Sequence, residues 1–418
     1  MIQIGRPTVY TENEKAYLTA DVYIPTEAAL RYKEITKTLK NCPWRMWEDY
    51  PPKAWQNGGA KLYFEVDKKY TDCLCTERSD AFVIALFWYA MVTGEDICFE
   101  TPMSQRLYNG LTDTLIPALC ADGHRQIKLM GPVTSEKLEC KGAVGTGMTF
   151  GVDSFYTMHT HELTHLAYYA WGHLSVLEMT DENRISVAEY YKMVDNRDEI
   201  KTAKISRFAG KAGYEYLYIK SNLEEDFFRG GEIYNTMYLN LACTLAVQKL
   251  FKTYISSSSG NGGDLETGLF VPTQNYENLI CDNCKTETLD YISSDDVKRF
   301  DKIEKLADDI EAAKHLDVCF DVNYLDIHHL REKNCGECYG CLKTMVVLDL
   351  LGKLDRYGKV FDLKKYYADR RKYIKILADG SRRPESAALR VCWADIVKGA
   401  KTHGGELSDI ILELNRQV

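Results

Sequence analysis

The chain has 418 residues, 45% of them apolar, and a formal net charge of −9; that length allows two or three domains with proper cores. A mildly acidic balance without a long basic run argues against stable binding to long nucleic acid, whose phosphates need clustered Lys and Arg. No apolar run approaches the roughly 20 residues that cross a bilayer, and the 14 cysteines gather in short knuckles rather than a spread disulfide framework. With no signal-peptide pattern at the start, a cytoplasmic protein without a membrane partner is expected.

Residues 1–135 read as an accessory α+β domain. Segments 16–23 and 61–66 alternate as strands, and 79–92 is an apolar helix with Ser79 or Asp80 as cap and Gly94 as stop. A strand at 96–100 and a second helix at 104–120 follow. Cys73 and Cys75, one residue apart, suit buried thiols better than a shared metal. From 136 to 320 strands and helices alternate, the sign of a parallel sheet. Strands are expected at 138–144, 163–171, 214–220 and from 254, and helices at 154–158, 181–195 and 235–251. Ligands of such sheets lie beyond the carboxyl ends of the strands. That rule gathers residues 145–154, Gly172 and His173, 220–222, 256–260 and Cys319 at one rim. In the hydroxyl-rich loop, Ser256 and Ser257 are candidate nucleotide contacts; a plain surface loop is the alternative. Residues 321–418 read as a cysteine knuckle followed by helices at 343–354, 366–377 and 387–399. The basic cluster Arg370-Arg371-Lys372 reads as a solvated helix face.

The most informative stretch is Gly145-Thr146-Gly147-Met148-Thr149-Phe150-Gly151-Val152-Asp153-Ser154. It reads as a glycine-lined turn between a strand and a helix. Outward N–H groups and the positive end of the helix dipole suit a phosphate or pyrophosphate there. A turn that merely links strand to helix is the plainer alternative. Thr149-Phe150-Gly151-Val152-Asp153-Ser154 resembles the PP-loop of the ATP pyrophosphatases, whose usual form is Ser-Gly-Gly-x-Asp-Ser. Gly151, Asp153 and Ser154 match, and Thr149 keeps a hydroxyl. Phe150 departs from the pattern, standing where the family has a glycine that lets the backbone approach the phosphates.

Cys335-Gly336-Glu337-Cys338-Tyr339-Gly340-Cys341 is a Cys-x-x-Cys-x-x-Cys run, and Cys319 upstream is a candidate fourth thiolate. Four thiolates suit tetrahedral structural zinc, and the two glycines permit the tight turns that let them converge. An iron–sulfur cluster on Cys335, Cys338 and Cys341 is one alternative, and buried reduced thiols are another. Cys281 and Cys284 form a second possible knuckle. They rank below Cys319, because 316–320 reads as a strand end that delivers a ligand. Around these cysteines, over residues 140–345, the chain resembles the 7-cyano-7-deazaguanine synthases. Those are PP-loop enzymes that bind zinc through one Cys followed by Cys-Gly-x-Cys-x-x-Cys; the spacing from Cys319 to Cys335 is longer here.

A rival motif, His161-Glu162-Leu163-Thr164-His165, fits the His-Glu-x-x-His signature of zinc peptidases, whose histidines share one face of a helix. Glu178, Glu182 and Glu189 are third ligands only by proximity. The apolar run after it suits a strand, so a helix-to-strand connection is expected instead.

Taken together, the resemblance implies a PP-loop/HUP α/β fold with a parallel five-stranded sheet, flanked by the accessory domain and a zinc-braced helical C-terminal region. It implies ATP and Mg²⁺ held by Thr149, Phe150, Gly151, Val152, Asp153 and Ser154, with Asp153 and Ser154 in catalytic roles. The reaction implied is transfer of AMP to a carboxylate or carbonyl oxygen with release of pyrophosphate, followed by attack of a nitrogen nucleophile. The substrate would be a small molecule or a peptide terminus, and the assembly a homodimer. Family members carry a substrate-facing loop and an acidic-basic helix where residues 286–305 lie, but no single residue there is assigned a role. Three alternatives remain: a sulfur-transferring relative that forms a thioamide or thiocarbonyl, a zinc peptidase at His161 and His165, and a non-catalytic nucleotide-binding module in which Phe150 closes the loop.

Overall fold

The computed structural model describes residues 1–36, 52–172, 187–228, 236–258, 263–264, 269–270, 272–294, 297–319, 333–383 and 387–416. They divide into two compact units, each discontinuous in sequence. The first takes Met1–Gly147, Leu163–Ser256 and Leu279–Ile292; the second takes Met148–Glu162, Ser257–Asn278 and Ser293–Val418.

An 11-stranded sheet organises the first unit. Its strands are β1 (Ile2–Ile4), β2 (Thr8–Glu12), β3 (Lys15–Tyr23), β4 (Gly59–Asp67), β5 (Ile97–Phe99) and β6 (Leu129–Met130). They continue with β7 (Ala143–Gly147), β8 (His165–Ala170), β9 (Glu215–Ser221), β10 (Phe251–Ser256) and β11 (Asp290–Ser293). The spatial order is β11-β10-β7-β8-β9-β4-β3-β1-β5-β6, with β2 also on β3. Strand β7 pairs in parallel with β8 and β10, and β8 with β9. The first strand of this group therefore lies in the middle, with β8 and β9 to one side and β10 and β11 to the other. Winding reverses at β7, the kind of switch point at which α/β sheets place ligands.

The sheet does not stop at β9. Its outer edge pairs antiparallel with β4, and β4 with β3, so the sheet runs on through the boundary expected near residue 135. An open edge on a buried parallel strand would leave its N–H and C=O groups unpaired, and the N-terminal strands supply those partners. Alternation carries β3 and β4: Ala16, Leu18, Ala20 and Val22 are buried on one, Leu62, Phe64 and Val66 on the other.

Helix α1 (Asp80–Thr93) is buried at every position and ends at Gly94 in the left-handed region, as read from the sequence. A helix apolar all round belongs in a core. Phe87 and Trp88 pack on Tyr238, while Phe82 meets Phe64 of β4 edge-on. Full burial of each such large side chain contributes about 1.5–3 kcal/mol.

Strand β7 lies later than the expected 138–144, so Gly145 and Gly147 are strand residues rather than turn residues. The reason is packing: a Cβ on Gly145 would lie 2.4 Å from a ring carbon of the fully buried Phe251 on β10. The helix expected at 235–251 stops at Ala246, because Phe251 opens β10. The helix expected at 181–195 spans Val187–Ala212, and residues 181–186 lie outside the described set.

The second unit is helical: α2 (Val152–Thr160), α3 (Arg299–Leu306), α4 (Ile310–His315), α5 (Tyr339–Leu350), α6 (Leu363–Ser381), α7 (Ala387–His403) and α8 (Glu406–Arg416). Helix α2 packs on α3, and α5 packs on α3, α6, α7 and α8. No strand forms at 316–319, where the sequence suggested one; the segment is irregular backbone following α4. No described helix is long and apolar enough to cross a membrane.

Replacing Gly145 by Val should cost roughly 1–3 kcal/mol through overpacking against Phe251. Urea denaturation reads this directly; an unshifted midpoint would mean that the ring can move aside.

Candidate functional site

Strand β7 ends at Gly147, and residues 148–151 form a short turn into α2 with Gly151 as the N-cap. The turn closes on itself. Ser154 Oγ donates to the Gly151 carbonyl at 3.0 Å, the Gly151 N–H donates to Thr149 Oγ1 at 3.4 Å, and the Thr149 N–H reaches Ser154 Oγ at 3.5 Å. Val152 is buried at the first helical position, whereas Thr149 is exposed. The first-turn amides of α2 have no partner within the helix, as at any helix start, and carry its partial positive charge.

Phe150 has a φ of 64°. A residue with a Cβ is rare in that region, whereas glycine is at ease there. The ring is buried, stacked on His315 at 5.7 Å and tilted against Phe155 at 5.9 Å. The Phe150 carbonyl accepts the Asp317 N–H at 2.8 Å. The phenylalanine thus adopts the conformation a glycine would take at its position, held there by packing.

Asp153 is the centre of an ion cluster. Its Oδ2 lies 3.0 Å from Arg299 Nη2 and its Oδ1 accepts from Lys302 Nζ at 3.2 Å. Lys302 is wholly buried; it also donates to the Ser258 carbonyl at 2.5 Å and lies 5.4 Å from the Tyr156 ring centre. Two cations on one carboxylate leave a net positive site beside the start of α2. Lys343 of α5 stands close enough to feel Arg299 and Asp153; burial first, then the Arg299 guanidinium, depress its pKa.

The serine loop spans the division between the two units. Ser256 is buried at the end of β10, its Oγ 3.9 Å from the Met237 sulfur in the first unit. Ser257 opens the next segment of the second unit. Ser258 is the residue shown in the cluster, its N–H bonded to Ser294 Oγ at 3.0 Å and its carbonyl to Lys302. Residues 259–262 and His173 lie outside the described set.

The His-Glu-x-x-His stretch is not a helix. Helix α2 ends at Thr160, His161 is an extended C-cap, and His165 opens β8. His165 is buried, with its ring near Tyr70 and Phe251. The geometry that would aim both imidazoles at one ion is absent. Glu178 and Glu182 fall outside the described residues, and Glu189 is exposed near the start of the Val187–Ala212 helix.

Cys319, Cys335, Cys338 and Cys341 converge, with sulfurs all within 4.8 Å of one another. Individual separations are 3.4 Å for Cys338–Cys341, 3.7 Å for Cys335–Cys341 and 4.0 Å for Cys319–Cys338. A tetrahedral ion with metal–sulfur bonds of about 2.3 Å has sulfur–sulfur edges of about 3.8 Å, so the residues present fit a single ion such as zinc. In a polynuclear iron–sulfur cluster the thiolates sit on different irons, which spreads them further than this. Gly336, with a φ of 75°, allows the turn. The Glu337 and Cys338 N–H groups point at Cys335 Sγ at 3.4 and 3.3 Å, donors suited to a thiolate. Hydrogen bonding among the four thiols, with Cys319 the largest influence on both, holds Cys338 and Cys335 down in pKa, Cys335 to about 6, and the same contacts push Cys319 and Cys341 up. Four sulfurs so close cannot all ionise without a cation among them. Cys281 and Cys284 are buried, and the four cysteines above form the one candidate metal group among the described residues.

Comparison with known proteins returned no matching family model, no matching curated protein and no matching solved structure. The site has to be judged on its chemistry. Ser258 belongs to the hydroxyl-rich loop that sequence reading singled out, whereas Arg299 and Lys302 are the members it left without a role. Their one signal was the basic character of the 299–305 helix, and what gives it meaning is a partner about 150 positions upstream.

Cys338→Ser should lower bound zinc and thermal midpoint together, since metal binding to such a centre is folding energy. Elemental analysis beside a melting curve checks this. Native stability in the metal-free variant would remove the structural role.

Proposed function

We propose that the chain is an ATP-dependent, AMP-forming enzyme of the PP-loop kind, one that adenylates a carboxylate or carbonyl oxygen for attack by a nitrogen nucleophile. The observation that carries this reading is the Asp153 cluster: a carboxylate at the first turn of α2, immediately after the 148–151 turn, bracketed by Arg299 and the buried Lys302.

Each part has a task in such a reaction. The amides that open α2 and the Thr149 hydroxyl bind phosphate oxygens, and the Ser154 hydroxyl joins them by exchanging its bond to the Gly151 carbonyl for one to the ligand. Attack of the substrate oxygen on the α-phosphorus breaks the bond to the bridging oxygen, and the electron pair leaves with pyrophosphate. Arg299 and Lys302 are cations set where that charge grows, and preorganised charge of this kind lowers barriers most when water is excluded. Asp153 holds both cations before nucleotide arrives and offers an oxygen to Mg²⁺, which would neutralise phosphate charge when bound. The acyl-adenylate then has AMP as a good leaving group, and an amine or ammonia displaces it. Four converging thiols, all engaged with one another, favour a metal-binding centre over a sulfur donor, which supports nitrogen rather than sulfur as the nucleophile. A small acid or a peptide carboxyl terminus is the substrate class.

The structure changes how this should be tested. Asp153→Ala would strand two cations, one of them fully buried, at a cost of roughly 3–5 kcal/mol, so lost activity in that variant would be ambiguous. Ser154→Ala and Arg299→Met are cleaner. With a pool of candidate acids and ammonia, wild-type protein should convert ATP to AMP and pyrophosphate. Arg299→Met should slow turnover about 100-fold or more, the usual loss when one transition-state charge contact is removed. Turnover to AMP that neither variant affects would sink the assignment.

A further inference from the structure

Between the phosphate turn and the cysteine centre runs a short bracket of chain that ties one to the other, all within the second unit. It begins at Asp309, which caps α4 by accepting the Ala312 N–H and pairs with His159 near the end of α2 at 3.0 Å. It ends at Cys319. Two residues before that ligand, the Asp317 N–H donates to the Phe150 carbonyl at 2.8 Å, and the His315 ring lies on the Phe150 ring. The bracket therefore grips α2 at both ends. Its other edge is held by Asn334, next to Cys335: Asn334 Oδ1 accepts the Val318 N–H at 2.8 Å and its Nδ2 donates to the Leu316 carbonyl at 2.9 Å. Cys335 thus adjoins the residue that sets where 316–318 lies, and Cys319 follows that segment directly.

We propose that the cysteine centre positions the phosphate turn, with Phe150 as the positioning residue, so that phosphate binding at residues 149–154 requires metal at Cys319, Cys335, Cys338 and Cys341. A phenylalanine does not hold a φ of 64° unaided. It needs the Asp317 hydrogen bond and the His315 stack, and both come from the segment that the metal anchors through Cys319. Without the ion, 316–319 loses its anchor, the Phe150 peptide relaxes toward negative φ, and the amides after it turn away from the ligand. A glycine at 150 would need no such support. The same position that departs from the PP-loop pattern is the one that makes the turn depend on the metal. The ligand in this inference rests on the proposed function; the mechanical coupling does not.

The experiment compares full-length zinc-loaded and chelator-stripped protein by amide hydrogen exchange without nucleotide, and by Mg²⁺–ATP binding. Stripping should speed exchange in peptides covering 148–154 as well as 316–319, and should weaken ATP binding about tenfold, the scale of one well-placed hydrogen bond. Asp317→Pro deletes the N–H donated to Phe150 and leaves all four cysteines; Leu316, at ψ 124°, already has a conformation suited to precede proline. That variant should keep its zinc yet show the same faster turn exchange and weaker binding. Phe150→Gly should bind ATP equally well with and without metal. Exchange at 148–154 that ignores both zinc removal and Asp317→Pro overturns the coupling, even where global unfolding of the stripped protein obscures the first comparison. Loaded wild-type protein that binds no ATP but shows the coupled exchange would overturn the proposed function instead.

Discussion

Burying the Lys302 ammonium is the constraint on which the second unit turns. A lysine with no exposed surface carries a desolvation cost of several kcal/mol, which only close, well-aligned oxygens can offset. Two are supplied: a carboxylate from Asp153 and a backbone carbonyl from Ser258. Meeting that demand draws together the start of α2, the loop after β10 and helix α3, segments far apart in the chain. Arg299, one turn back on α3, shares the carboxylate. Positive charge is left in excess beside a helix N-terminus.

A second network in the same unit is made of thiols. Cys338 caps α5 and Cys341 lies within it, while Cys335 and Cys319 arrive from irregular backbone. Their sulfurs are spaced for one small ion, and they share protons unequally because four charges cannot coexist there. Asn334, next to Cys335, bonds the backbone of residues 316 and 318. The Asp317 N–H in turn bonds Phe150, whose ring packs on His315 and Phe155.

In the first unit the equivalent demand is edge pairing. The parallel group β7 to β10 ends on one side at β9, and β4 with β3 close that edge in antiparallel register. What reads in sequence as an accessory domain is therefore an extension of the same sheet. Its fully apolar helix α1 packs on the helix Thr236–Ala246 that leads into β10.

What the sequence determined by itself is what short-range physics governs. The alternation of β3 and β4, the all-apolar α1 with its glycine stop, the strand-to-helix turn ending in Asp153 and Ser154, and the three-cysteine knuckle all follow from residues within a turn or two of each other. Cys319 as the fourth sulfur was also legible, although the strand expected to deliver it is irregular backbone. Tertiary structure alone decided the rest. Gly145 belongs to a strand because Phe251 must cross it, and His161 and His165 do not share a helix because α2 ends before the first and a strand opens at the second. The Ser258 carbonyl meets Lys302, and Arg299 and Lys302 acquire meaning from a carboxylate about 150 residues away. Each of those outcomes depends on which distant groups share a buried volume, and local pattern carries no record of a partner so far along the chain.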